Sequence, residues 1–466
     1  MRILLMLPYD TSYKRDTPDL GLGYLAACLE REGHEVQICL KFMDLNSETA
    51  LSDLISRGKF DVFGIKVMSC SIMSAKETIR LIRIIEPHAP IILGGPHVSG
   101  DPHSIFHLIP EASYAFHGES EVGLVKFINR LAHGGPISDS EFAGIPNLVW
   151  RKGPETMVND MSRVEDLDTL PFPAWELMKP ASFVNTPFGG HSRRFPIAPL
   201  IITRGCPNSC TFCEAGVING HTVRSRSVES VIAEIKLLMN KFGVKEIQFF
   251  DSNCSDRRGP LRELCKRIIS ENLDISWSAP NGIRIDSIDA ELVALMKKSG
   301  CFYVGVGIES GSPRILREIK KGLSLDLARE KIALLRKAGI GVTGYFMIGF
   351  PGETAEEIKQ TISFAMKAPL TGATFSIFCP LPGTEIYKKL YKDQNLEIEI
   401  ISSLDFITYK NNLSEITYSQ LRKLQKQAIS EFYLRPSLIV YFLRELNNIH
   451  KIRFVVNSFY EYAFKG

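Results

Sequence analysis

Short apolar runs alternate with helix-period segments along most of this chain, and that alternation restricts its fold more than any other feature. Within residues 1–135, residues 3–8 form an apolar run and 21–30 open a helix. Residues 35–40 alternate, 62–67 are apolar and β-rich, and 74–85 have helical spacing. Residues 91–93 run into Gly94-Gly95-Pro96, and 114–117 into Gly118-Glu119. Strand, helix, strand at this spacing predicts an α/β, Rossmann-like doubly wound sheet with helices on both faces. Ligands of such sheets sit outside the carboxyl ends of the strands, where these glycines fall.

Residues 136–195 break the rhythm with Gly144-Ile145-Pro146, Leu170-Pro171-Phe172-Pro173 and Gly189-Gly190. Trp150, Phe172 and Trp175 would be out of place in a solvated tether, so this interdomain linker is expected to pack across its neighbours. The alternation resumes over 196–395, with strands expected at 200–203, 246–250, 275–278, 302–308, 341–348 and 373–378. Helical segments lie between them, as at 228–241, 289–299 and 328–338. Six such units predict a partial parallel (β/α)6 barrel with its site at the carboxyl ends of the strands. Residues 396–466 read as a helical tail, expected to cap the barrel mouth.

With 45% hydrophobic and 23% charged residues, the chain has the balance of a soluble globular protein. Its formal net charge of +3 carries no footprint of a nucleic-acid binder. The opening MRILLMLPYD is too short an apolar run for a signal peptide. The later apolar stretch at 437–443 falls far below the roughly 18 residues of a membrane span. Residues 437–466 mix Phe, Tyr, Lys and Arg, and plain helical packing is favoured there over contact with a membrane surface. The expected location is cytoplasmic, where ten cysteines are free thiols or metal ligands rather than disulfides.

Seven cysteines (Cys28, Cys39, Cys70, Cys254, Cys265, Cys301 and Cys379) are scattered singly and read as buried small hydrophobes. Cys254 and Cys379 stand apart because both fall at carboxyl ends of expected strands. The other three crowd one loop after the first barrel strand: Cys206-Pro207-Asn208-Ser209-Cys210-Thr211-Phe212-Cys213. Thiolates this close can wrap one small iron–sulfur cluster. Four would close a cubane, whereas three leave one iron open to a chelating small molecule. A zinc site with His221 as a further ligand is the alternative.

The spacing of these cysteines, with an aromatic residue before the last, resembles the radical S-adenosylmethionine superfamily. The resemblance implies that Cys206, Cys210 and Cys213 hold a [4Fe–4S] cluster, whose free iron chelates S-adenosylmethionine. One electron then splits the cofactor and gives a 5′-deoxyadenosyl radical. Contacts to S-adenosylmethionine are implied at Phe212 in the loop and at successive strand ends. Asp251 and Asn253 lie where the family meets the methionyl amine, although Ser252 and Cys254 depart from its usual acidic pair. Arg284, in Asn281-Gly282-Ile283-Arg284, suits the carboxylate, and Glu309 and Ser310 fall in a segment resembling the ribose motif. Gly349, in GYFMIGFPGE, and Pro382, in Pro380-Leu381-Pro382-Gly383-Thr384, resemble the segments flanking adenine.

In the amino-terminal domain no GxGxxG follows the first strand, which argues against a nicotinamide cofactor. The opening MLPYD, Gly21-Leu22-Gly23-Tyr24, Gly94-Gly95-Pro96-His97 and Gly118-Glu119-Ser120-Glu121 instead resemble the cobalamin-binding domain found ahead of radical S-adenosylmethionine domains. The resemblance implies corrinoid contacts at Gly94, Gly95, His97, Gly118 and Glu119. The loop at 9–15 lacks the histidine that many cobalamin proteins give to cobalt, and Asp101-Pro102-His103 matches only half of that motif, in the wrong place. A satisfied loop histidine is favoured over a cobalt ligand at His97. Met68 and Ser69, with Cys70, are expected nearest cobalt. A degenerate domain that binds no corrinoid is the alternative.

The function this implies is cobalamin-dependent radical methylation of an unactivated carbon in a small-molecule or lipid-like substrate. An electron donor such as flavodoxin or ferredoxin would be the partner. Ring formation, ring contraction or C–C bond formation without net methylation is the alternative within the family. A transfer-RNA methylthiolating enzyme is disfavoured by the absence of three further clustered cysteines, and a non-catalytic corrinoid-binding module by the intact cysteine triad.

Overall fold

Strands apolar on both faces need a sheet covered on both sides, and a computed structural model places such strands inside two mainly parallel sheets. It describes residues 1–8, 18–40, 48–182, 192–255, 259–391, 398–404, 412–436 and 438. The loop at 9–15, Gly189-Gly190 and residues 439–466 lie outside these.

The first sheet comprises β1 (Arg2–Leu7), β2 (Glu35–Leu40), β3 (Val62–Lys66), β4 (Ile91–Gly94), β5 (Tyr114–Phe116), β6 (Leu148–Lys152) and β7 (Glu155–Val158). They run in the order β2-β1-β3-β4-β5-β6-β7. β1 to β5 are parallel, and the winding reverses between β1 and β3, the switch point at which such sheets bind ligands. β6 and β7 are antiparallel, with Phe116 opposite Leu148. The stretch expected as a linker therefore also supplies a hairpin to the first sheet. Further along it, Ala174 joins the core on that sheet, while Trp175 enters the core of the second and donates to Glu234 at 2.9 Å.

The second sheet comprises β8 (Ile197–Leu200), then, after the short pair β9 (Thr203–Arg204) and β10 (Arg224–Ser225), β11 (Glu246–Phe249), β12 (Ser276–Ile283), β13 (Cys301–Glu309), β14 (Gly341–Ile348) and β15 (Gly372–Ile377). All six of its strands are parallel, in the order β15-β14-β13-β12-β11-β8. The first ends earlier than the expected 200–203. The buried Asp251 carboxylate captures the Ile202 and Thr203 amides, turning the backbone into the β9–β10 pair.

Sheets open at an edge leave a row of unpaired backbone groups. At β15 the tail helix Tyr418–Tyr433 covers that row, starting from a capping box between Thr417 and Gln420. Gln425 Nε2 donates to Phe375 O at 2.6 Å, and the Tyr433 hydroxyl donates to Ala373 O at 2.9 Å. The described part of the tail thus seals an edge of the barrel sheet. Among the described residues no helix is long and apolar enough to cross a membrane.

Candidate active site

Between β9 and β10 the chain makes the loop that carries the three cysteines. Asp251, at the end of β11, sets its root: Oδ1 accepts from Ile202 N at 3.0 Å, Thr203 N at 2.5 Å and Thr203 Oγ1 at 2.7 Å. Burial pushes this carboxyl up to about 6 against the pull of those donors. Gly205 follows with φ +95°, and a Cβ there would stand 2.1 Å from Thr222 O, so only glycine fits. Cys206 N donates to Gly220 O at 3.1 Å, and Cys213 N to Cys210 O at 3.2 Å. Thr211 pins the middle: its N–H donates to Ile319 O at 3.0 Å and its carbonyl accepts from Ile386 N at 3.1 Å.

Cys206 and Cys210 are half-buried and Cys213 is exposed. Among the described residues no three His, Cys, Asp or Glu side chains gather tightly enough for a single metal ion. His221 packs its ring on Gly216. Three soft thiol donors spread around one loop, with no fourth beside them among the described residues, fit a small iron–sulfur cluster better than zinc. Burial raises the Cys210 thiol, so protons must leave when the loop takes up metal.

Beside this loop lies a polar group on the strand ends. β13 and β14 slip register between Gly307 and Glu309, and Glu309 adopts φ +68°. The slip aims its carboxylate at Lys321, whose Nζ donates to Oε1 at 2.8 Å with both side chains largely buried. Burial alone would lower the Lys321 ammonium, but Glu309 beside it raises it instead. Arg284 donates to Asp286 at 2.8 Å and to Lys321 O at 3.3 Å. Its charge and that of Glu309 both act on the Cys210 thiol. Carboxylate, ammonium and guanidinium therefore cluster beside the cysteines, a set suited to a zwitterionic amino-acid group and to hydroxyls. Lys321 was not among the residues expected from sequence. Its signal, a Lys-Gly pair in the turn after the helix Pro313–Glu318 that follows β13, is visible only once that turn is folded.

Other expected residues hold the strand ends in place. Ser310 is fully buried: its hydroxyl accepts from Ser312 N at 3.1 Å and pairs with Thr361 Oγ1 at 3.2 Å, so it braces the backbone rather than facing a ligand. Asn253 is buried and accepts from Ser255 Oγ at 3.3 Å. Gly349, at φ +89°, donates its N–H to Glu353 Oε2 at 2.6 Å, as Phe350 does at 3.1 Å. Phe212 stands edge-on to Phe350, 6.1 Å between centroids. Pro382 turns its carbonyl to Gly100 of the first domain, where a Cβ would meet it at 2.4 Å. That makes it an interdomain contact, not a pocket wall.

A cavity of about 300 Å³ opens where the two sheets' carboxyl ends face each other. From the first sheet it is lined by Gly94, Gly95, Gly118, Lys66 and Ser99, and from the second by Thr203, Phe250, Asp251 and Ser252. Gly95, at φ +99°, brings bare backbone to its wall. Lys66 pairs there with Asp19, the cap of the helix Leu20–Arg31, at 2.5 Å.

Glu119 also borders the cavity, but its carboxylate is fully engaged. It pairs with Arg224, lies 3.3 Å from Arg204 and accepts from Val164 N at 3.1 Å. Burial would raise this carboxyl, yet the two arginines hold it below its ordinary value. With Glu121, 2.6 Å from Arg204, it ties the first domain to the strands framing the cysteine loop. His97 is wholly buried and is not a cavity wall. Ser69 Oγ lies 3.0 Å from its Nδ1, and burial lowers it to about 4, leaving a neutral core imidazole. Met68 and Ser69 begin a turn that the short helix Ile398–Ser402 overlies; neither lines the cavity.

Comparison with known proteins follows the same division. Residues 7–128 match the B12 binding domain and residues 200–365 the Radical SAM superfamily. "Uncharacterized methyltransferase PH0819" of Pyrococcus horikoshii is 30% identical over 447 residues, covering 94% of each chain. Cytidylyl-2-hydroxyethylphosphonate methyltransferase of Streptomyces wedmorensis is 29% identical, over 89% of this chain and 86% of its own. Among solved structures, the radical S-adenosylmethionine methyltransferase TsrM of Kitasatospora setae aligns with a TM-score of 0.68 at 18% identity, over 84% of this chain and 76% of that one.

Proposed function

Because this chain belongs to the cobalamin-binding radical S-adenosylmethionine enzymes, we propose that it methylates an unactivated carbon of a small-molecule or lipid-like substrate. One observation carries the reading: the carboxyl ends of both sheets open on a single cavity, so the corrinoid wall and the strand ends behind the cysteine loop serve one space. An unactivated carbon has no lone pair with which to attack a sulfonium, so a radical route is needed to functionalise it.

Around and beside that space each residue has a physical task. Cys206, Cys210 and Cys213 hold the [4Fe–4S] cluster. Lys321 and Arg284 neutralise the carboxylate of S-adenosylmethionine, and Glu309 accepts from its ammonium or ribose hydroxyls. Glu353 fixes the Gly349–Phe350 backbone that flanks adenine. Gly94, Gly95 and Gly118 admit the corrinoid to within contact of the backbone, and Phe250 and Ser252 form the facing wall. When bound, cobalamin supplies the methyl-carrying chemistry and the cluster the one-electron chemistry.

Related enzymes that do not methylate would use the same cofactors, so the products decide. Anaerobic, reconstituted protein supplied with methyl-labelled S-adenosylmethionine and a cell metabolite extract should release S-adenosylhomocysteine and 5′-deoxyadenosine together, with label in one extract component. Deoxyadenosine formed without S-adenosylhomocysteine or a labelled product would refute methylation and favour a ring- or bond-forming reaction.

A further inference from the structure

We propose that the substrate is a polar, hydrogen-bonding molecule rather than a lipid chain, and that Tyr345, Thr374 and Ser376 inside the barrel select it. The inference rests on the reading above and decides between the two substrate classes that it leaves open. It comes from which positions of the barrel sheet stay accessible.

Successive residues of a strand point to opposite faces of its sheet. Val304, Val306 and Ile308 of β13, Val342, Phe346 and Ile348 of β14, and Ala373, Phe375 and Ile377 of β15 join the core shared with the helices. The residues alternating with them, among them Gly305, Gly307, Tyr345, Thr374 and Ser376, therefore face the barrel interior. Apart from Ser276 and Phe302 near the amino ends, the positions of β12 to β15 that are not buried are Asn281, Gly282, Gly307, Tyr345, Thr374 and Ser376. Side chains there are small or polar, with the Tyr345 ring as the exception.

These positions form one patch. Gly307, Tyr345 and Thr374 are paired neighbours in one row across three strands, and Ser376 lies two residues further along β15. The Tyr345 ring leans across β13, where a Cβ at Gly305 would stand 2.5 Å from its Cε2, and its hydroxyl donates to Pro280 O on β12. A Cβ at Gly282 would lie 4.0 Å from the same ring atom. On one side the patch adjoins the ion pair beside the cysteines: a Cβ at Gly307 would stand 2.3 Å from Glu309 Oε1 and 2.9 Å from Lys321 Nζ. On the other, Asn281 Nδ2 donates at 3.0 Å to the carbonyl of Phe250, a residue that lines the interdomain cavity. A molecule resting on Tyr345 is thus placed between the groups assigned to S-adenosylmethionine and the corrinoid cavity. Its chemistry follows from what it meets. The Thr374 and Ser376 hydroxyls and Asn281 Oδ1 have no protein partner among the described residues. An alkyl chain laid here would strip water from those groups and offer them nothing in return. A substrate carrying hydroxyl, amine or amide groups on a ring or short carbon frame would pair with them and pack on the Tyr345 ring.

The test takes anaerobic, reconstituted enzyme and a cell extract divided between water and chloroform. The water-soluble fraction should stimulate release of 5′-deoxyadenosine, and the chloroform-soluble fraction should not. Thr374→Val combined with Ser376→Ala removes both hydroxyls with little change of shape. It should raise the amount of the water-soluble fraction needed for half-maximal release by at least about tenfold. Thr374→Ser combined with Ser376→Thr keeps both hydroxyls and should need an amount close to that of wild type. Equal iron and corrinoid content in all three proteins shows that the fold is kept. Stimulation by the chloroform-soluble fraction, stimulation by neither, or an unchanged requirement in the hydroxyl-free variant would overturn the inference. Methylation is judged separately, with methyl-labelled S-adenosylmethionine. Stimulated release without a labelled product would refute methylation and leave the substrate class standing.

Discussion

Lys321 and Glu309 meet where both charges act on the Cys210 thiol although neither is close to it in sequence, and their pairing states what the site asks of a ligand. Both side chains are largely buried, so each charge depends on its partner and on whatever third group enters. Lys321→Ala should weaken S-adenosylmethionine binding by roughly tenfold to a hundredfold, the span of a charged hydrogen bond, while the iron content stays at the wild-type level. Equilibrium dialysis against the cofactor, beside iron analysis, checks this. Glu353 makes a different prediction. Its buried carboxyl is raised to about 7 by burial, against the pull of two backbone donors. A raised carboxyl stabilises the fold when protonated, so its contribution is full below the unfolded value near 4.5 and fades as pH rises through 7. Glu353→Gln, which keeps an acceptor for Gly349 and Phe350 but cannot ionise, should remove up to about 3 kcal/mol of that decline. Thermal unfolding at pH 5 and pH 8 should converge in the variant relative to wild type; identical pH profiles would contradict it. The cysteines were legible in sequence because their spacing is local. The partnership of Glu309 with Lys321 was not, because a register slip and a turn create it.

Elements carry the next level of constraint. The βα alternation could be read because parallel strands buried on both faces leave uninterrupted apolar runs, as in β13 and β14. The hairpin of β6 and β7 could not: only Leu148, Val149 and Trp150 of β6 are buried, and Arg151 and Lys152 then point outward, so neither periodicity lasts long enough to register. The cysteine loop depends on one backbone shape. Gly205→Ala would force a side chain into a left-handed residue and against Thr222 O, so the loop must shift. Iron loading should drop sharply while corrinoid binding, measured by retained absorbance after gel filtration, stays intact. Equal loss of both would mean that the loop supports the whole fold rather than the cluster.

At the scale of the molecule, the two domains meet through charge as well as packing. Arg204 and Arg224 from the barrel face Glu119 and Glu121 from the first domain, all largely buried. Removing Arg204 leaves Glu119 its pair with Arg224 but takes the guanidinium from the buried Glu121 carboxylate, and breaking such a buried pair typically costs about 3–5 kcal/mol. Arg204→Met should therefore lower the unfolding temperature and also misalign the two halves of the cavity. The second effect is separable: release of 5′-deoxyadenosine should persist while S-adenosylhomocysteine formation falls. The sequence marked Gly118-Glu119 as a ligand site, and Gly118 does border the cavity, but the glutamate's role is to couple domains, which no single-chain motif announces. The proposed chemistry needs one loop that holds an iron–sulfur cluster and, at the neighbouring cavity, a bound corrinoid. Metal, sulfide and corrinoid analysis of anaerobically purified and reconstituted protein, with Cys210→Ala alongside, tests that most directly. About four irons and one corrinoid per chain in the wild type, with iron lost and corrinoid kept in the variant, is the predicted result. Zinc at the loop, no metal at all, or a wild-type chain that retains no corrinoid would contradict it.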